Sequence, residues 1–283
     1  SLNGEYMQNN MIRTTAIPKD KNDPSRGYQG FQPEGVGNPV EIFKRVESMS
    51  YNTQIFGNAA LTFHLLKGLD LKTQVGVDYH NGRSQGYTPF KPHQIIDMSA
   101  NGSASASNSS SLYWQEETYL TYIKDFDKHH LNAMAGASWQ ARKYTYFGAS
   151  DSKFMDDYYG FYNLGAGTEK PSVGSDYDKW AMNSYFLRLA YNYNNTYMAT
   201  VTGRYDGSSK FGENNKYAFF PSVGLGWLAS NEKFLENNKT ISKLKLHTSF
   251  GMTGNSEIGT YRSIATMSQG TTILNGSMVT VSY

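Results

Sequence analysis

Apolar and polar residues alternate along the first clearly patterned segment of the chain. Between Ala59 and Leu65 every second residue is apolar, and Thr62 and His64 are among the residues between them. A period of two is typical of a β-strand with one apolar and one polar face. After a short Leu-Lys-Gly turn the alternation resumes from Leu69 to Tyr79. The segment therefore predicts an antiparallel hairpin.

The same pattern recurs further along the chain. A second hairpin turns between Asp125 and His129, and a third turns at Asn194 and Asn195. Two more strands are predicted where apolar residues again alternate, and these residues are Phe219, Val223, Leu225 and Trp227 in one strand and Leu244, Leu246, Thr248 and Phe250 in the other. Because the patterned segments have a period of two, the predicted fold class is all-β and antiparallel.

The predicted connections alternate between short and long. Short turns at Lys67, Asp127 and Asn194 alternate with long polar segments near 81–110, 142–179 and 206–216, and a further long loop is predicted near 252–283. Tight turns at one end of strands of about ten residues, with long loops at the other, are typical of a transmembrane outer-membrane β-barrel. A soluble β-sandwich also alternates, but its strands average five or six residues. The pattern therefore favours the barrel, with long extracellular loops.

Three local features refine this interpretation. The low-complexity stretch NGSASASNSSS from Asn101 predicts a flexible extracellular loop. Pro221 is expected at a strand start or a bulge, because proline has no N–H to donate to a central ladder. Tyrosines cluster near predicted strand ends, as in the aromatic girdles of membrane barrels, and they are Tyr79, Tyr119, Tyr122, Tyr191, Tyr193 and Tyr197.

Composition excludes several function classes. The net charge is +2, so no electrostatic field gathers nucleic acid, and no nucleic-acid partner is expected. The chain has no cysteine, which excludes disulfides and thiolate metal sites. Its start has no signal-peptide pattern, so we expect that a leader was removed or that the chain begins inside a longer protein.

Candidate chemistry is sparse, and we expect no catalytic residues, no metal site and no cofactor. His129 and His130 are adjacent, so on a strand they point to opposite faces and cannot chelate one metal. A long loop carries Asp151, Asp156 and Asp157 beside aromatic residues. Tyr158, Tyr159 and Phe161 could stack on a sugar while carboxylates accept its hydroxyls, and the alternative is that the loop packs on a partner or its neighbours.

Three long motifs near the end of the chain carry a family resemblance. They are RYDGSSKFGENN, FFPSVGLGW, and KLKLHTSFGMTGN with a closing IGTY. Together they resemble the SusC/RagA-type TonB-dependent transporters of Gram-negative outer membranes. GNPVE at Gly37–Glu41 and KHHLNAMAGASWQ at Lys128–Gln140 also look like barrel segments of that family, so the resemblance extends from about Gly37 to Met267.

The resemblance implies an importer with a large closed barrel that a plug domain fills. In that family a SusD-like surface lipoprotein captures oligosaccharides or peptides, and TonB drives uptake through the plug. No plug or TonB motif is found in this sequence, and eight or nine predicted strands cannot close so large a barrel. An open sheet edge is not tolerated in lipid. We therefore expect an internal part of a longer receptor, embedded in outer-membrane lipid.

The matching motif residues are expected to be structural. Arg204, Asp206 and Lys210 are predicted to form a charged base that holds the loop after them. The full set of motif positions is Arg204, Asp206, Gly207, Ser208, Phe211, Gly212, Pro221, Trp227, Gly254 and Asn255. The expected function is part of the wall and extracellular loops of a nutrient importer, not an enzyme. The alternatives are a soluble or surface-exposed carbohydrate-binding module or hydrolase, and a small autonomous channel.

Overall fold

A computed structural model describes residues 46–90, 101–235, 240–263, 269–274 and 277–282. The resemblance at Gly37–Glu41 lies outside these residues. The described residues form ten strands and four short 3-10 turns, at Gly160–Tyr162, Leu164–Ala166, Glu213–Asn215 and Ala229–Asn231. The strands are β1 (Glu47–Leu66), β2 (Leu69–Phe90), β3 (Asn101–Phe126), β4 (His129–Ser152), β5 (Ser172–Tyr193), β6 (Tyr197–Ser208), β7 (Tyr217–Leu228), β8 (Lys245–Gly251), β9 (Gln269–Leu274) and β10 (Ser277–Ser282).

Strands β1 to β8 form one sheet in their chain order, and β9 pairs with β10 in a separate antiparallel hairpin. The predicted all-β fold and the three short turns are confirmed. Gly68 in the first turn has φ 79°, Asp127 in the second has φ 52°, and Asn194 and Asn195 in the third have φ 51° and 53°. Glycine, asparagine and aspartate tolerate this left-handed region better than other residues, which explains why they stand at these turns.

The register of β5 to β8 gives the sheet one apolar and one polar face. Leu189 pairs with Val201, Val201 with Val223, and Val223 with Phe250, so these four side chains form one row on one face. One residue further along, the row on the other face is Arg188, Thr202, Ser222 and Gly251. Adjacent positions in a strand point to opposite faces, and the predicted alternation is thereby confirmed.

The apolar face has little protein packed against it among the described residues. Val201 is 52% exposed and Phe250 is 72% exposed, and most of the other large apolar residues of these strands are also exposed. None of the helical segments that the structure describes is long and apolar enough to span a membrane.

The chain divides into two compact units, which share strands β1 to β5. One unit contains the described parts of Ser1–Ile55, Tyr79–Ser111 and Tyr144–Tyr177. Its buried core is a cluster of Tyr87, Ala104, Phe154 and Phe161, against which Leu164 packs. The other unit contains the described parts of Phe56–Asp78, Leu112–Lys143 and Asp178–Tyr283.

Several strands run further into the predicted loops than the sequence indicated. β2 continues to Phe90, β4 to Ser152 and β6 to Ser208, while β5 begins at Ser172. Residues 81–90, 101–110, 142–152 and 172–179 of the predicted loops are therefore strand, whereas residues 153–171 connect β4 to β5 and residues 209–216 connect β6 to β7. Part of 252–283 forms β9 and β10.

The prediction of a flexible loop at NGSASASNSSS is wrong, because this stretch opens β3. The amide of Asn81 donates to the side-chain oxygen of Asn108 at 3.4 Å and to the backbone carbonyl of Ser109 at 3.2 Å. Side-chain pairs of this kind stabilise neighbouring strands without apolar residues. Low apolar content therefore concealed the strand.

Pro221 lies inside β7, opposite Gly203, and not at the strand start. Its carbonyl accepts a hydrogen bond from the N–H of Met252 at 3.0 Å, so its own nitrogen faces the same side. Proline has no N–H to return that bond. The β7–β8 register accordingly ends one pair earlier, at Ser222 and Gly251.

Candidate functional site

The polar face near the end of β6 carries the first motif pair. The Arg204 Nε donates to both carboxylate oxygens of Asp206, at 2.7 and 2.9 Å, and a terminal nitrogen of Arg204 donates to the Ser184 Oγ at 2.9 Å. Ser184 is almost fully buried, and the Arg204 guanidinium also lies 5.9 Å from the centre of the Phe186 ring. The geometry ties β6 to β5 through side chains.

Lys210 has different partners from those the sequence suggested. Its ammonium lies 5.1 Å from the centre of the Trp180 ring and donates to the carbonyl oxygen of Ser256 at 3.3 Å. The structure thus brings Arg204 and Asp206 together and places Lys210 between β5 and the segment after β8. Trp180 and Ser256 were not singled out from the sequence, because neither the chain separation nor the pattern indicates this contact.

Gly207 lets an aromatic ring lie flat across the strand. It pairs with Tyr217 in the β6–β7 register, and a Cβ added to Gly207 would lie 2.2 Å from that ring. The Tyr217 ring also stacks on Tyr205, with centroids 5.1 Å apart. Gly207 of the motif therefore leaves space for Tyr217, the first residue of β7.

The loop 209–216 is closed by Ser208 and its neighbours. The Ser208 N–H donates to the carbonyl of Lys216 at 2.9 Å, its carbonyl accepts from the N–H of Phe211 at 3.4 Å, and its Oγ accepts from the N–H of Lys210 at 3.3 Å. Gly212, before the 3-10 turn Glu213–Asn215, lies near Ser263. The motif residues in this loop therefore have backbone and packing roles.

The segment after β8 is anchored to the same unit. A Cβ added to Gly254 would lie 2.4 Å from the Phe220 ring, so Gly254 passes directly over that ring. The Asn255 side-chain oxygen accepts from the N–H of Glu257 at 2.8 Å, and the Thr260 hydroxyl donates to Asp178. These contacts give the TGN motif a local structural setting.

Trp227 belongs to a cluster around Glu232. The Trp227 indole N–H donates to the Glu232 Oε1 at 3.2 Å, and the Tyr197 hydroxyl donates to the same oxygen at 2.5 Å. The Asn231 amide donates to the carbonyl of Asn195 at 3.1 Å. Glu232 was missed in the sequence because a single acidic residue after a strand carries no pattern.

The contacts of His129, His130 and Tyr119 bear on what the sequence predicted for these side chains. His129 stacks on Phe126 and lies 2.5 Å from the Tyr191 hydroxyl, while His130 pairs with Asp125. Tyr119 contacts Phe186, one position from the apolar-face Leu187, so it lies on the polar face and not in an aromatic girdle. Within the described ranges, no three His, Cys, Asp or Glu residues are grouped so as to hold a metal ion.

The aromatic loop between β4 and β5 divides the three predicted ligand contacts. Tyr158 is 85% exposed and Tyr159 is about half exposed, whereas Phe161 is only 3% exposed. Phe161 fills the buried cluster with Tyr87 and Phe154, so its predicted contact with a sugar does not fit its position. The sequence could not separate these aromatics, because all three lie in one irregular segment.

Tyr158 and Tyr159 line a shallow pocket of about 250 Å³ that the sequence did not reveal. The Tyr87 hydroxyl donates to Asp157 at 2.7 Å beside it, and the described lining residues are Glu47, Tyr87, Pro89, Asp157, Tyr158, Tyr159, Gly160 and Tyr162. Asp156 accepts from the N–H of Tyr158 at 3.0 Å. The pocket combines aromatic faces with two carboxylates, which suits a ligand with hydroxyl or amino groups.

Asp151 is placed apart from the other two loop aspartates. It is buried, and its Oδ1 accepts from the N–H of Ser152 at 2.7 Å. A Cβ added to Gly167 would lie 2.4 Å from the Asp151 carboxyl carbon, so the carboxylate packs on the backbone of the loop. Asp151 therefore contributes to the shape of the loop.

Comparison with known proteins shows that the chain is similar to TonB-dependent receptors. A family model described as TonB dependent receptor-like, beta-barrel matches residues 13–277. TonB-dependent receptor P26 of Formosa agariphila is 28% identical over 280 residues, which are 97% of this chain and 28% of the relative. TonB-dependent receptor P3 of the same organism is 33% identical over 212 residues, 75% of this chain and 21% of the relative.

Further matches connect the chain to the predicted transporter type. TonB-dependent receptor SusC of Bacteroides thetaiotaomicron is 28% identical over 266 residues, 90% of this chain and 24% of the relative. The solved structure of the RagAB peptide transporter matches with a TM-score of 0.75 and 27% identity, covering 87% of this chain and 27% of that chain. The chain thus spans about a quarter of the length of the relatives it matches.

These findings confirm three predictions. The resemblance to SusC/RagA-type receptors is confirmed, and so is the assignment of the strands to a TonB-dependent receptor β-barrel. The matches are to receptors and transporters, so the prediction that the chain is not an enzyme is confirmed as well.

Replacing Asp206 with alanine tests the structural role of the Arg204 pair. We expect a smaller yield of folded full-length receptor, because the variant leaves the Arg204 guanidinium without its carboxylate, a loss of about 1 kcal/mol at a partly exposed site. The measurement is the folded, heat-modifiable fraction in membranes, with Glu213→Ala in the nearby loop as the control. Normal assembly combined with lost ligand binding would contradict this role.

Replacing Gly207 with alanine tests the close approach of Tyr217. The added methyl group would displace the ring, and overpacking of this kind costs about 1–3 kcal/mol. We expect a lower temperature at which the folded receptor is lost, and partial recovery when Tyr217→Ala is added. Gly174→Ala in β5 is the control, because a Cβ there meets nothing within 4 Å. Equal effects of the two glycine substitutions would refute the interpretation.

Proposed function

Because the chain belongs to the TonB-dependent receptor-like β-barrel family, we propose that it forms part of the barrel wall and the extracellular loops of an outer-membrane nutrient importer. The observation that carries the proposal is the two-faced sheet. In β5 to β8 one face presents exposed rows of leucine, valine and aromatic residues, and the other presents mainly polar and small residues, with Phe186 and Phe220 in the same row as Arg204.

The exposed apolar face supports a position in lipid. Leaving apolar surface in water costs about 25 cal/mol per Å², and Leu189, Val201 and Phe250 are each more than two-fifths exposed. A soluble carbohydrate-binding module or hydrolase would cover such rows with a second layer. In a bilayer the same rows face acyl chains, and the paired strands satisfy their backbone groups.

The polar face supports a lining role toward the interior of the proposed barrel. The Thr202 and Ser222 hydroxyls lie 2.5 Å apart across β6 and β7, and the Gln74 amide donates to Glu117 at 2.7 Å across β2 and β3. Such pairs satisfy each other and leave a wettable surface. The mechanism is that of a passive wall with an extracellular gate, in which no covalent bond forms or breaks.

The substrate is proposed to be an oligosaccharide or a peptide. A solved structure that matches this chain is named as a peptide transporter, which favours a peptide. Similarity to SusC supports a SusD-like surface lipoprotein as partner, with TonB acting through a plug outside this chain. The pocket beside Tyr158 and Asp157 is the proposed contact with the substrate, because exposed aromatic rings and carboxylates converge there.

Lysine substitutions on opposite faces of β6 test the membrane position. Val201→Lys places a charge on the apolar face, where it costs about 2–4 kcal/mol at the centre of a bilayer. Thr200→Lys places the same charge on the polar face, opposite Ala190 and Gly224. We expect Val201→Lys to deplete the folded full-length receptor from the outer-membrane fraction and Thr200→Lys to leave it nearly unchanged. Equal amounts of the two folded variants in the outer-membrane fraction would contradict the proposal.

Alanine at Tyr158 tests the proposed substrate contact. Met155→Ala is the matched control, because Met155 lies in the same loop and is as exposed as Tyr158. We expect Tyr158→Ala alone to weaken binding of a peptide digest or of oligosaccharides to the purified receptor, with unchanged amounts of co-purifying lipoprotein. If Tyr158→Ala instead releases the lipoprotein and leaves ligand binding intact, the loop packs on the partner, and the proposed contact between Tyr158 and the substrate is refuted.

A further inference from the structure

We propose that the apolar face carries a binding site for one phosphate-bearing anionic membrane lipid. The head group would lie at Lys216, and one acyl chain would lie in a groove along β3 to β7. This inference rests on the proposed function, because a lipid reaches this face only if the face is in a membrane. It is argued from a polar pocket, an apolar groove, and the register that joins them.

The pocket has the chemistry of a lipid head-group boundary. It has a volume of about 350 Å³, and Trp114, Trp139, Asn183, Lys216 and Tyr217 are among its lining residues. The Asn183 amide donates to the Tyr217 hydroxyl at 3.2 Å, which fixes the polar tip of that ring. Tryptophan and tyrosine combine an apolar ring with a polar edge and are enriched where hydrocarbon meets head groups.

The groove beside the pocket is almost entirely apolar and has a volume of about 600 Å³. Its depth comes from small residues, Ala135, Ala137 and Gly203, which lie among larger ones such as Leu120, Leu187 and Phe219. A flat barrel surface gives an acyl chain no preferred position. A trough of small residues with large walls gives it contact on several sides, which increases dispersion attraction.

The strand register joins the pocket to the groove on one face. Asn183, Gly207 and Tyr217 form one row across β5, β6 and β7, and the next row on that face is Tyr185, Tyr205 and Phe219. The row after it contains Leu187 and Gly203. β6 advances about 13 Å from Gly207, which lines the pocket, to Gly203, which lines the groove. One leaflet of hydrocarbon is about 15 Å thick, so a single lipid can reach both.

Charge favours an anionic head group. Lys216 is the one charged residue among the described residues that line the pocket, and no charged residue is among those that line the groove. The remaining polar groups there are amides and hydroxyls, which also donate to phosphate oxygens. A phosphate at Lys216 with its chain in the groove satisfies both parts of the site.

The test uses the purified full-length receptor in a mild detergent. The protein is stripped of lipid and then supplied with phosphatidylglycerol or with phosphatidylcholine, and native mass spectrometry measures the lipid retained. We expect Ala137→Leu, which fills the groove, to lower retention of both lipids about tenfold. Val201→Leu is the control, since it enlarges a side chain of the same face outside the groove. Ala135→Leu repeats the test if Ala137→Leu assembles poorly.

The head-group part has its own variant. Lys216→Gln should abolish the preference for phosphatidylglycerol and leave phosphatidylcholine retention unchanged. The lipid site is refuted if groove variants retain lipid as well as Val201→Leu, or if Lys216→Gln keeps the preference. The proposed function still stands after either result, provided that Thr200→Lys assembles normally in the membrane and Val201→Lys does not. A receptor that stays in solution without detergent refutes both.

Discussion

Hydrogen bonding between neighbouring strands is the constraint on which the rest of this chain depends. Each strand from β1 to β8 is bonded to the next in chain order, so the backbone groups that lie between two neighbouring strands have partners in the plane of the sheet. This pairing lets one face of the sheet be apolar and uncovered, because the side chains of that face need not hydrogen-bond to the backbone. Pro221 shows the limit of this arrangement: the β7–β8 ladder ends where its nitrogen has nothing to donate.

The motif residues are explained by the same need to keep long strands and their loops in register. Gly207 admits the Tyr217 ring on the apolar face, and Gly254 passes over Phe220 on the polar face. Arg204 and Asp206 join β6 to the buried Ser184 of β5. Each of these contacts is made within the protein, which supports the prediction that the motif is structural. Substrate recognition is better sought in the aromatic loop.

The sequence predicted what depends on local pattern and missed what depends on distant partners. The alternation of Leu187 and Leu189 with Arg188 fixed the faces, and the pair of asparagines at 194 and 195 located a turn. The serine-rich start of β3 was misread because its stabilising partners lie on β2, about 27 residues away in the chain. Pattern detects apolar burial, and this strand is paired through polar side chains.

The candidate site shows the same division. Tyr158 and Phe161 were equivalent in sequence, yet one is exposed and the other is buried against Tyr87 and Phe154. The pocket exists because β2 supplies Tyr87 and the loop supplies Asp157, a pairing across 70 residues that no spacing rule encodes. The pairing of Arg204 with Asp206 could be predicted from the sequence, because positions two residues apart in a strand point to the same face.

The distribution of buried side chains bears directly on the solvent around each unit. Five hydrophobic residues are buried among those that the structure describes: Tyr87, Ala104, Phe154 and Phe161 lie in the unit that contains the aromatic loop, and Ala229 lies in the other. The first unit thus forms a small core by packing aromatic rings on each other, as a structure in water must. The described part of the second unit leaves continuous apolar rows exposed, and a surrounding apolar phase would offset that cost. A single chain with both arrangements is one whose parts are adapted to two different solvents, which is the physical basis for proposing a receptor wall with loops in water.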